Sequence, residues 1–476
     1  MGYIDRTTRE TISLRFLLIQ AATYFPETEK CFPVGTLQLA AYVRETLGAT
    51  VGFFDMQHNV RDVAPVIEAV RRFCPDVVGI SAMTVDQAAM HAVAKAVKAH
   101  QPDLPVIAGG SHPTTYPGDT LARGDIDFAI RGEGEIGAAA LLRHLQGELP
   151  RDEVPNLVWL ENGELQSNEA APWIEKLDSL PFAAYDLADL EAYYKMPRTG
   201  VIWARRRYAA VSTSRGCPYR CAYCHRVLGK RWRPRSPRDV VDELEQLVAR
   251  YRIGEIVFVD DMFNLDKARV QEICRLIRLR RLDLKLAFPI GLRGDIMDEE
   301  TIRALVDAGM FRCMYAVETA SPRLQTLISK NLNLDRVLEV IDTTNRYGVL
   351  THGTFMLGFP TETEAEMRDT IALAERSMLA TAAFFRVIPF GDTELVALAR
   401  KYGASVPDDF TRFEFHKSKV NVSPVSDEVV DHLKKLAYFR FYVSPRRFWR
   451  VLRRLPNIAA NLPHLMAIWW RKTFLW

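Results

Sequence analysis

Between residues 14 and 135, short apolar runs alternate with stretches of helical period. The runs Leu14–Gln20, Val51–Asp55, Val77–Ser81, Val106–Gly109 and Asp127–Ile130 are apolar nearly throughout, not at every second position. That pattern belongs to parallel strands buried on both faces. Gly35–Leu47 and Asp86–Ala99 supply amphipathic helices between them, so residues 1–140 are expected to form a doubly wound α/β domain. Periodicity fades over 141–205, which reads as a linker. From Ala209 the alternation resumes, with strands at Ala209–Thr213, Ile256–Asp260, Lys285–Pro289, Arg312–Val317, Thr351–Leu357 and Ala383–Ile388. Six such units fall short of a closed eight-fold barrel, so residues 206–400 predict a partial (β/α)6 barrel with its chemistry at the carboxyl ends of the strands. Residues 401–476 read as a small, mainly helical C-terminal unit.

At 476 residues the chain is long enough for roughly three domains. With 48% apolar and 25% charged residues it has the balance of a globular protein, which excludes a disordered or collagen-like chain. The longest nearly uncharged stretch, Leu455–Trp470, is interrupted by Pro456, Pro463, two asparagines and a histidine, and is too short to span a membrane. The first residues show no signal-peptide pattern, so a cytoplasmic protein is expected. A net charge of +3 hides an asymmetry, because the residues after Asp431 include 10 Lys or Arg and no Asp or Glu. Aromatic residues such as Tyr438, Phe441, Tyr442, Trp449, Trp469 and Trp470 are interleaved with these cations. Such a segment suits an anionic membrane surface; a cap packed over the barrel is the competing reading. Nucleic acid is not expected, since no recognised nucleic-acid module accompanies the basic residues.

Seven cysteines, an odd number, point to reduced thiols and not to a disulfide framework. Cys31, Cys74, Cys274 and Cys313 are scattered, whereas Cys217, Cys221 and Cys224 sit on one loop directly after the first barrel strand. Buried structural cysteines and a zinc site are the plain alternatives. A structural zinc normally takes two pairs of ligands, no second pair follows, and His225 is adjacent to Cys224 and poorly placed to chelate with it. Three thiolates on one loop suit a 4Fe–4S cluster with one iron left open.

Cys-x3-Cys-x2-Cys after the first strand of a six-unit barrel, with Tyr223 just before the last cysteine, resembles the radical S-adenosylmethionine superfamily. The resemblance implies that Cys217, Cys221 and Cys224 hold the cluster and that its open iron chelates S-adenosylmethionine (SAM). Reductive cleavage then yields a 5′-deoxyadenosyl radical that takes hydrogen from unactivated C–H bonds. It further implies that Asp260 and Asp261, at the second strand end, meet the methionine ammonium, although Asp261 reads equally well as a helix cap. Arg293, followed by Asp295 after the third strand, would hold the methionine carboxylate as a fork. Glu318, in Ala316-Val317-Glu318-Thr319-Ala320, would meet the ribose hydroxyls, and Gly358, in Phe355–Pro360, would lie beside the adenine.

No Gly-x-Gly-x-x-Gly follows the first strand of the N-terminal domain, which argues against a dinucleotide. Its strand ends carry instead Pro33 and Gly35, Ser81 and Thr84, Gly109, Gly110 and Ser111, and Glu133 and Gly134. Small residues there let backbone approach a large planar ligand. This set resembles the cobalamin-binding domain of cobalamin-dependent radical SAM enzymes. The Asp-x-His-x-x-Gly motif is absent, since Asp55-Met56-Gln57-His58 has the wrong spacing and lacks the glycine. The resemblance therefore implies cobalamin with its own base displaced and no histidine in its place; His58 and His112 read as loop histidines.

The expected function is cobalamin-dependent radical methylation of an unactivated carbon. In the family scheme, cobalamin takes a methyl group from one SAM, a second SAM yields the radical, and the substrate radical accepts the methyl. The alternative within enzymes is an oxidative cyclase or ring-rearranging enzyme. A non-catalytic cobalamin or Fe–S sensor is the alternative from another class, and it would need neither Arg293 nor Glu318. The partners implied are a small-molecule or lipid-like substrate, an external electron donor of flavodoxin or ferredoxin type, and the inner membrane surface through residues 432–476.

Overall fold

The computed structural model describes residues 13–23, 30, 32–58, 62–196, 202–391, 393–406 and 420–474. Cys31 and Trp476 lie outside them. The chain forms two compact units, the first built mainly on Pro33–Ile174 and Ser179–Tyr193, the second on Glu175–Asp178 and Tyr194 onward.

The first unit holds β1 (Arg15–Gln20), α1 (Val34–Leu47), β2 (Thr50–Asp55), β3 (Val77–Ser81), β4 (Val106–Gly109), β5 (Phe128–Ile130), α2 (Gly134–Leu145), β6 (Leu157–Glu161) and β7 (Glu164–Ser167). The sheet order is β2-β1-β3-β4-β5-β6-β7, and the first five strands are parallel. Alternate residues of β1 enter different cores, Leu17 and Ile19 on one face of the sheet and Phe16 and Leu18 on the other. This is why its sequence is apolar without alternation. The doubly wound expectation is met, but its boundary moves. Residues 157–167, expected to lie in a linker over 141–205, form an antiparallel hairpin on the edge of β5. Asn162 and Gly163 turn it with φ of 53° and 83°, the backbone that Asn-Gly adopts in two-residue hairpin loops. The first unit consequently runs on to Tyr193, well past residue 140.

The second unit contains six parallel strands in consecutive order: β8 (Tyr208–Val211), β9 (Glu255–Phe258), β10 (Lys285–Phe288), β11 (Met310–Glu318), β12 (Leu350–Leu357) and β13 (Thr381–Arg386). It is the open, partial barrel that six units imply. Between the strands run α3 (Pro237–Tyr251), α4 (Lys267–Leu279), α5 (Glu299–Asp307), α6 (Leu334–Arg346) and α7 (Glu364–Arg376). Each of these five helices starts at a side-chain cap, Ser236, Asp266, Asp298, Asn333 and Thr363 in turn, which accepts a backbone amide of the first turn. Capped helix starts fix the strand-end loops that feed them.

The residues after 400 belong to this same unit. The helices α8 (Asp427–Tyr442), α9 (Pro445–Leu452) and α10 (Ile458–Phe474) complete the fold. Tyr438, Phe441 and Tyr442 are buried, as is Arg447, whose guanidinium donates to the carbonyls of Glu375, Ser377, Leu379 and Phe441. Val451, Leu455 and Leu465 pack with Leu350 and Ala380, at the amino ends of β12 and β13. α9 and α10 therefore lie at the end of the barrel opposite the strand carboxyl ends and do not cap the site, whereas Val420 and Val422, earlier in the same C-terminal stretch, pack with Ala222 and Phe359 beside it. No helix among the described residues is long and apolar enough to cross a membrane.

Candidate active site at the strand ends

The loop after β8 turns at Gly216, whose φ is 79° and where an added Cβ would stand 2.3 Å from the Arg231 carbonyl oxygen. Only glycine fits that approach. The loop is then pinned in both directions, because the Ala222 amide donates to Ile328 O at 2.8 Å and the Ala222 carbonyl accepts from Leu395 N at 2.8 Å. The three thiols flank this pinned residue, Cys217 and Cys221 before it and Cys224 after it. Burial raises the pKa of Cys217 and pushes that of Cys224 up to about 12; each is raised further by the charges of neighbouring thiolates, and Lys230 opposes the rise in both. Such thiols ionise only with a cation to compensate them.

Among the described residues no group of three His, Cys, Asp or Glu side chains converges as it would on a single metal ion. Three thiols on one loop, one short of the four ligands a structural zinc takes, fit a cluster in which each sulfur binds a different iron. The donor set suits a 4Fe–4S group and does not suit zinc.

Around this loop the other strand ends converge. The Tyr223 hydroxyl donates to Glu318 Oε1 at 3.2 Å, and its ring lies 6.3 Å from that of Phe359. Lys330, which sequence reasoning missed, donates to Glu318 Oε1 at 3.1 Å and to the Tyr223 hydroxyl at 2.9 Å. Lys330 and Glu318 are both buried, and Glu318 is held at φ 68°. Arg293 crosses over the Tyr219 ring at 3.9 Å, and its Nε and Nη2 donate to Asp295 at 2.8 and 3.0 Å. Asp295 thus occupies the fork expected for a ligand carboxylate. Nη1 of Arg293 makes no hydrogen bond among the described residues.

Asp260 is fully buried at the end of β9, and its Oδ1 accepts from Thr213 N, Thr213 Oγ1 and Ser214 Oγ at 3.0, 2.8 and 2.6 Å. It ties β9 to the start of the cysteine loop, while its buried Oδ2 has no partner; burial raises its pKa. Asp261 stands 3.8 Å from His225 Nε2 and does not cap a helix, since Asp266 caps α4. After β12, Gly358 has φ 97°, and Glu362 Oε2 accepts from the amides of Gly358 and Phe359 at 2.6 and 2.9 Å. Glu362 is a second residue that sequence reasoning passed over. Its carboxyl is buried with Oε1 unpartnered, and burial pushes its pKa up to about 7 against the pull of those two amides.

In the first unit, Pro33 and Gly35 follow β1, Ser81 and Thr84 follow β3, Gly109, Gly110 and Ser111 follow β4, and Glu133 and Gly134 follow β5. All therefore stand at the carboxyl ends of four adjacent strands. A Cβ added at Gly35 or Gly109 would meet nothing within 4 Å, which leaves open space of the kind a planar ligand needs. Gly110, at φ 98°, passes so near Ala82 that a Cβ would lie 2.7 Å from its carbonyl oxygen. Glu133 accepts the amide of Ile174 at 3.0 Å, and Gly134 opens α2 beside Leu39. Neither histidine stands free at this edge. His112 is buried with Nε2 3.1 Å from Asp119, and the His58 ring packs edge-on to Tyr193 at 4.8 Å.

Residues 211–374 match the model of the Radical SAM superfamily, and residues 28–142 match that of the B12 binding domain. The chain belongs to the cobalamin-dependent radical SAM family. Its cofactors are a 4Fe–4S cluster, SAM and cobalamin. The family member is 29% identical over 417 residues to an uncharacterized methyltransferase of Pyrococcus horikoshii, covering 87% of this chain and 88% of that one. It is 29% identical over 399 residues to the cytidylyl-2-hydroxyethylphosphonate methyltransferase of Streptomyces wedmorensis, covering 76% and 74%. Among solved structures it resembles the cobalamin-dependent SAM radical enzyme OxsB, solved with aqua-cobalamin and SAM bound. The TM-score is 0.66 at 20% identity, over 82% of this chain, and the chain spans 55% of that protein's length.

Proposed function

We propose that the enzyme moves the methyl group of SAM to an unactivated carbon of a small-molecule or lipid-like substrate. One observation carries the reading: a single chain holds a pinned three-thiol loop at the strand ends of one unit and an open, glycine-lined strand edge in the other. When bound, the cluster supplies the electron that cleaves SAM, and cobalamin carries a methyl group.

The chain's own residues bind and orient. Cys217, Cys221 and Cys224 hold the cluster. Lys330 and Tyr223 fix the Glu318 carboxylate, whose remaining oxygen accepts the ribose hydroxyls. Arg293 offers Nη1 to the methionine carboxylate while Asp295 fixes its plane. Asp260 and Asp261 face the ammonium, and the turn at Gly358, held by Glu362, flanks the adenine. Pro33, Gly35, Ser81, Thr84, Gly109, Gly110, Ser111, Glu133 and Gly134 form the cobalamin edge. An external one-electron donor of flavodoxin or ferredoxin type belongs to the same reading, as does a cytoplasmic location with peripheral contact at the inner membrane surface.

The test is a variant carrying Cys217→Ala, Cys221→Ala and Cys224→Ala, reconstituted anaerobically with iron and sulfide. Loss of bound iron and of 5′-deoxyadenosine formation is expected, while Cys74→Ala and Cys274→Ala leave both in place. Full retention of iron in the triple variant overturns the assignment.

A further inference from the structure

Six of the 14 exposed large hydrophobic side chains of the described residues fall between Phe439 and Trp470, so the C-terminal helices carry an apolar surface out of proportion to their length. On α10, Ile458, Met466 and Trp470 are 52%, 50% and 61% exposed. At 3.6 residues per turn they share about a third of the helix circumference, and the exposed positions between them are mostly alanine and proline. α10 is fastened down by Leu465 in the core, by Leu462 and Trp469 packed against it, and by Asn461, bonded to both the amide and the carbonyl of Trp203. On α9, Trp449 is 58% exposed and lies between Arg446 and Arg453, which are three residues before it and four after and so share its face.

We infer that the exposed faces of α9 and α10 dock the enzyme on an anionic lipid bilayer. Exposed apolar patches of this kind mark interaction surfaces, and the charge selects the partner. No Asp or Glu follows Asp431, so the cations flanking the patch have no acid beside them in sequence and are complementary to lipid phosphates. A second copy of the chain is disfavoured, because a two-fold interface would bring two copies of the same basic patch, Arg446 and Arg453 included, together. Tryptophans beside arginines are the side chains that settle at a headgroup boundary. The surface is narrower than the whole basic tail, since Tyr438, Phe441, Tyr442 and Arg447 are spent inside the fold. It lies at the amino ends of the strands, so the strand-end site stays clear of the bilayer. The inference deepens the peripheral location in the proposed function and does not depend on the methyl chemistry.

The test is flotation of the full chain with vesicles of phosphatidylglycerol and phosphatidylethanolamine, against vesicles of phosphatidylcholine alone, at low and high salt. Binding to the anionic vesicles alone is expected, with salt weakening it as charges are screened. A variant with Trp449→Ser and Trp470→Ser and another with Arg446→Glu and Arg453→Glu should each lower the bound fraction about tenfold. Both should form deoxyadenosine in solution like the parent. No binding at low salt, equal binding by the variants, or a dimer that the tryptophan variant dissolves without any vesicle binding would overturn the inference. Loss of deoxyadenosine formation in the parent chain with flotation intact would count against the catalytic reading alone.

Discussion

The hydroxyl of Tyr442 takes both backbone hydrogen bonds of Ala382, accepting from its amide at 3.1 Å and donating to its carbonyl at 2.8 Å. One helical turn earlier, Tyr438 does the same for Phe384, at 3.1 and 3.2 Å. Ala382 and Phe384 lie on β13, the edge strand of the open barrel. An uncovered edge is a row of unpaired amides and carbonyls that invites pairing with another chain. Residues four apart on α8 thus stand in for a seventh strand. Burial raises both phenols, that of Tyr438 to about 12, so each keeps the proton it donates.

Tyr438→Phe and Tyr442→Phe should therefore each cost about 1–3 kcal/mol of stability, because a buried amide and carbonyl lose their partner. Urea unfolding of the full chain measures this. Variants as stable as the parent would show that the edge does not need the hydroxyls.

The Lys330 ammonium carries the next prediction. Lys330→Met leaves Glu318 buried without its cation, a change worth about 3–5 kcal/mol where one partner of a buried pair is removed. SAM affinity, read by calorimetry on the reconstituted enzyme, should fall at least about tenfold. A second change, Glu318→Gln, on that background should recover stability but not SAM affinity. Recovery of both would make the pair structural only.

Much of this architecture was legible in the chain. All eleven parallel strands follow the apolar runs within a few residues at either end, because burial on both faces leaves few polar positions inside them, Arg312, Thr351 and His352 among the exceptions. The hairpin at 157–167 escaped because it is half exposed, with Leu160 and Leu165 among the exposed hydrophobics. Its signal was the Asn162-Gly163 pair. In the site, the cysteine spacing is local and legible. The partners of Tyr223 are not, since Lys330 lies 107 residues away and nothing in its neighbourhood marks it. The tail was read as basic and aromatic, which is correct, but a tyrosine facing a strand edge and one facing lipid look alike in sequence.

Gly216→Ala removes no ligand yet should abolish iron incorporation. The new methyl would stand 2.3 Å from the Arg231 carbonyl oxygen, and the loop cannot close over it. Iron and sulfide analysis after reconstitution checks this, and a full complement of iron in the variant would contradict it. Gly109→Ala, where the space is open, serves as the control for folding.

Glu362 predicts a pH dependence with a definite sign. Its pKa rises from 4.5 to about 7 on folding, so the folded state holds a proton that the unfolded state has lost. The stabilisation is present below about pH 4.5 and disappears as pH rises through about 7. Stability should fall by on the order of 1–3 kcal/mol across that window. Glu362→Gln should flatten the contribution of this site when unfolding is followed from pH 4.5 to 8. A variant with the parent's full pH slope would place the proton elsewhere.

The most direct measurement of the central claim is turnover of the anaerobically reconstituted enzyme with cobalamin, a strong reductant and SAM carrying a deuterated methyl group, followed by mass spectrometry. The account predicts two products from SAM: 5′-deoxyadenosine from cleavage at the cluster and S-adenosylhomocysteine from methyl donation, with label recovered on cobalamin. Deoxyadenosine without S-adenosylhomocysteine or labelled cobalamin would contradict methyl transfer and leave the cyclase chemistry. Neither product, with iron and cobalamin both bound, would contradict the assignment as an enzyme.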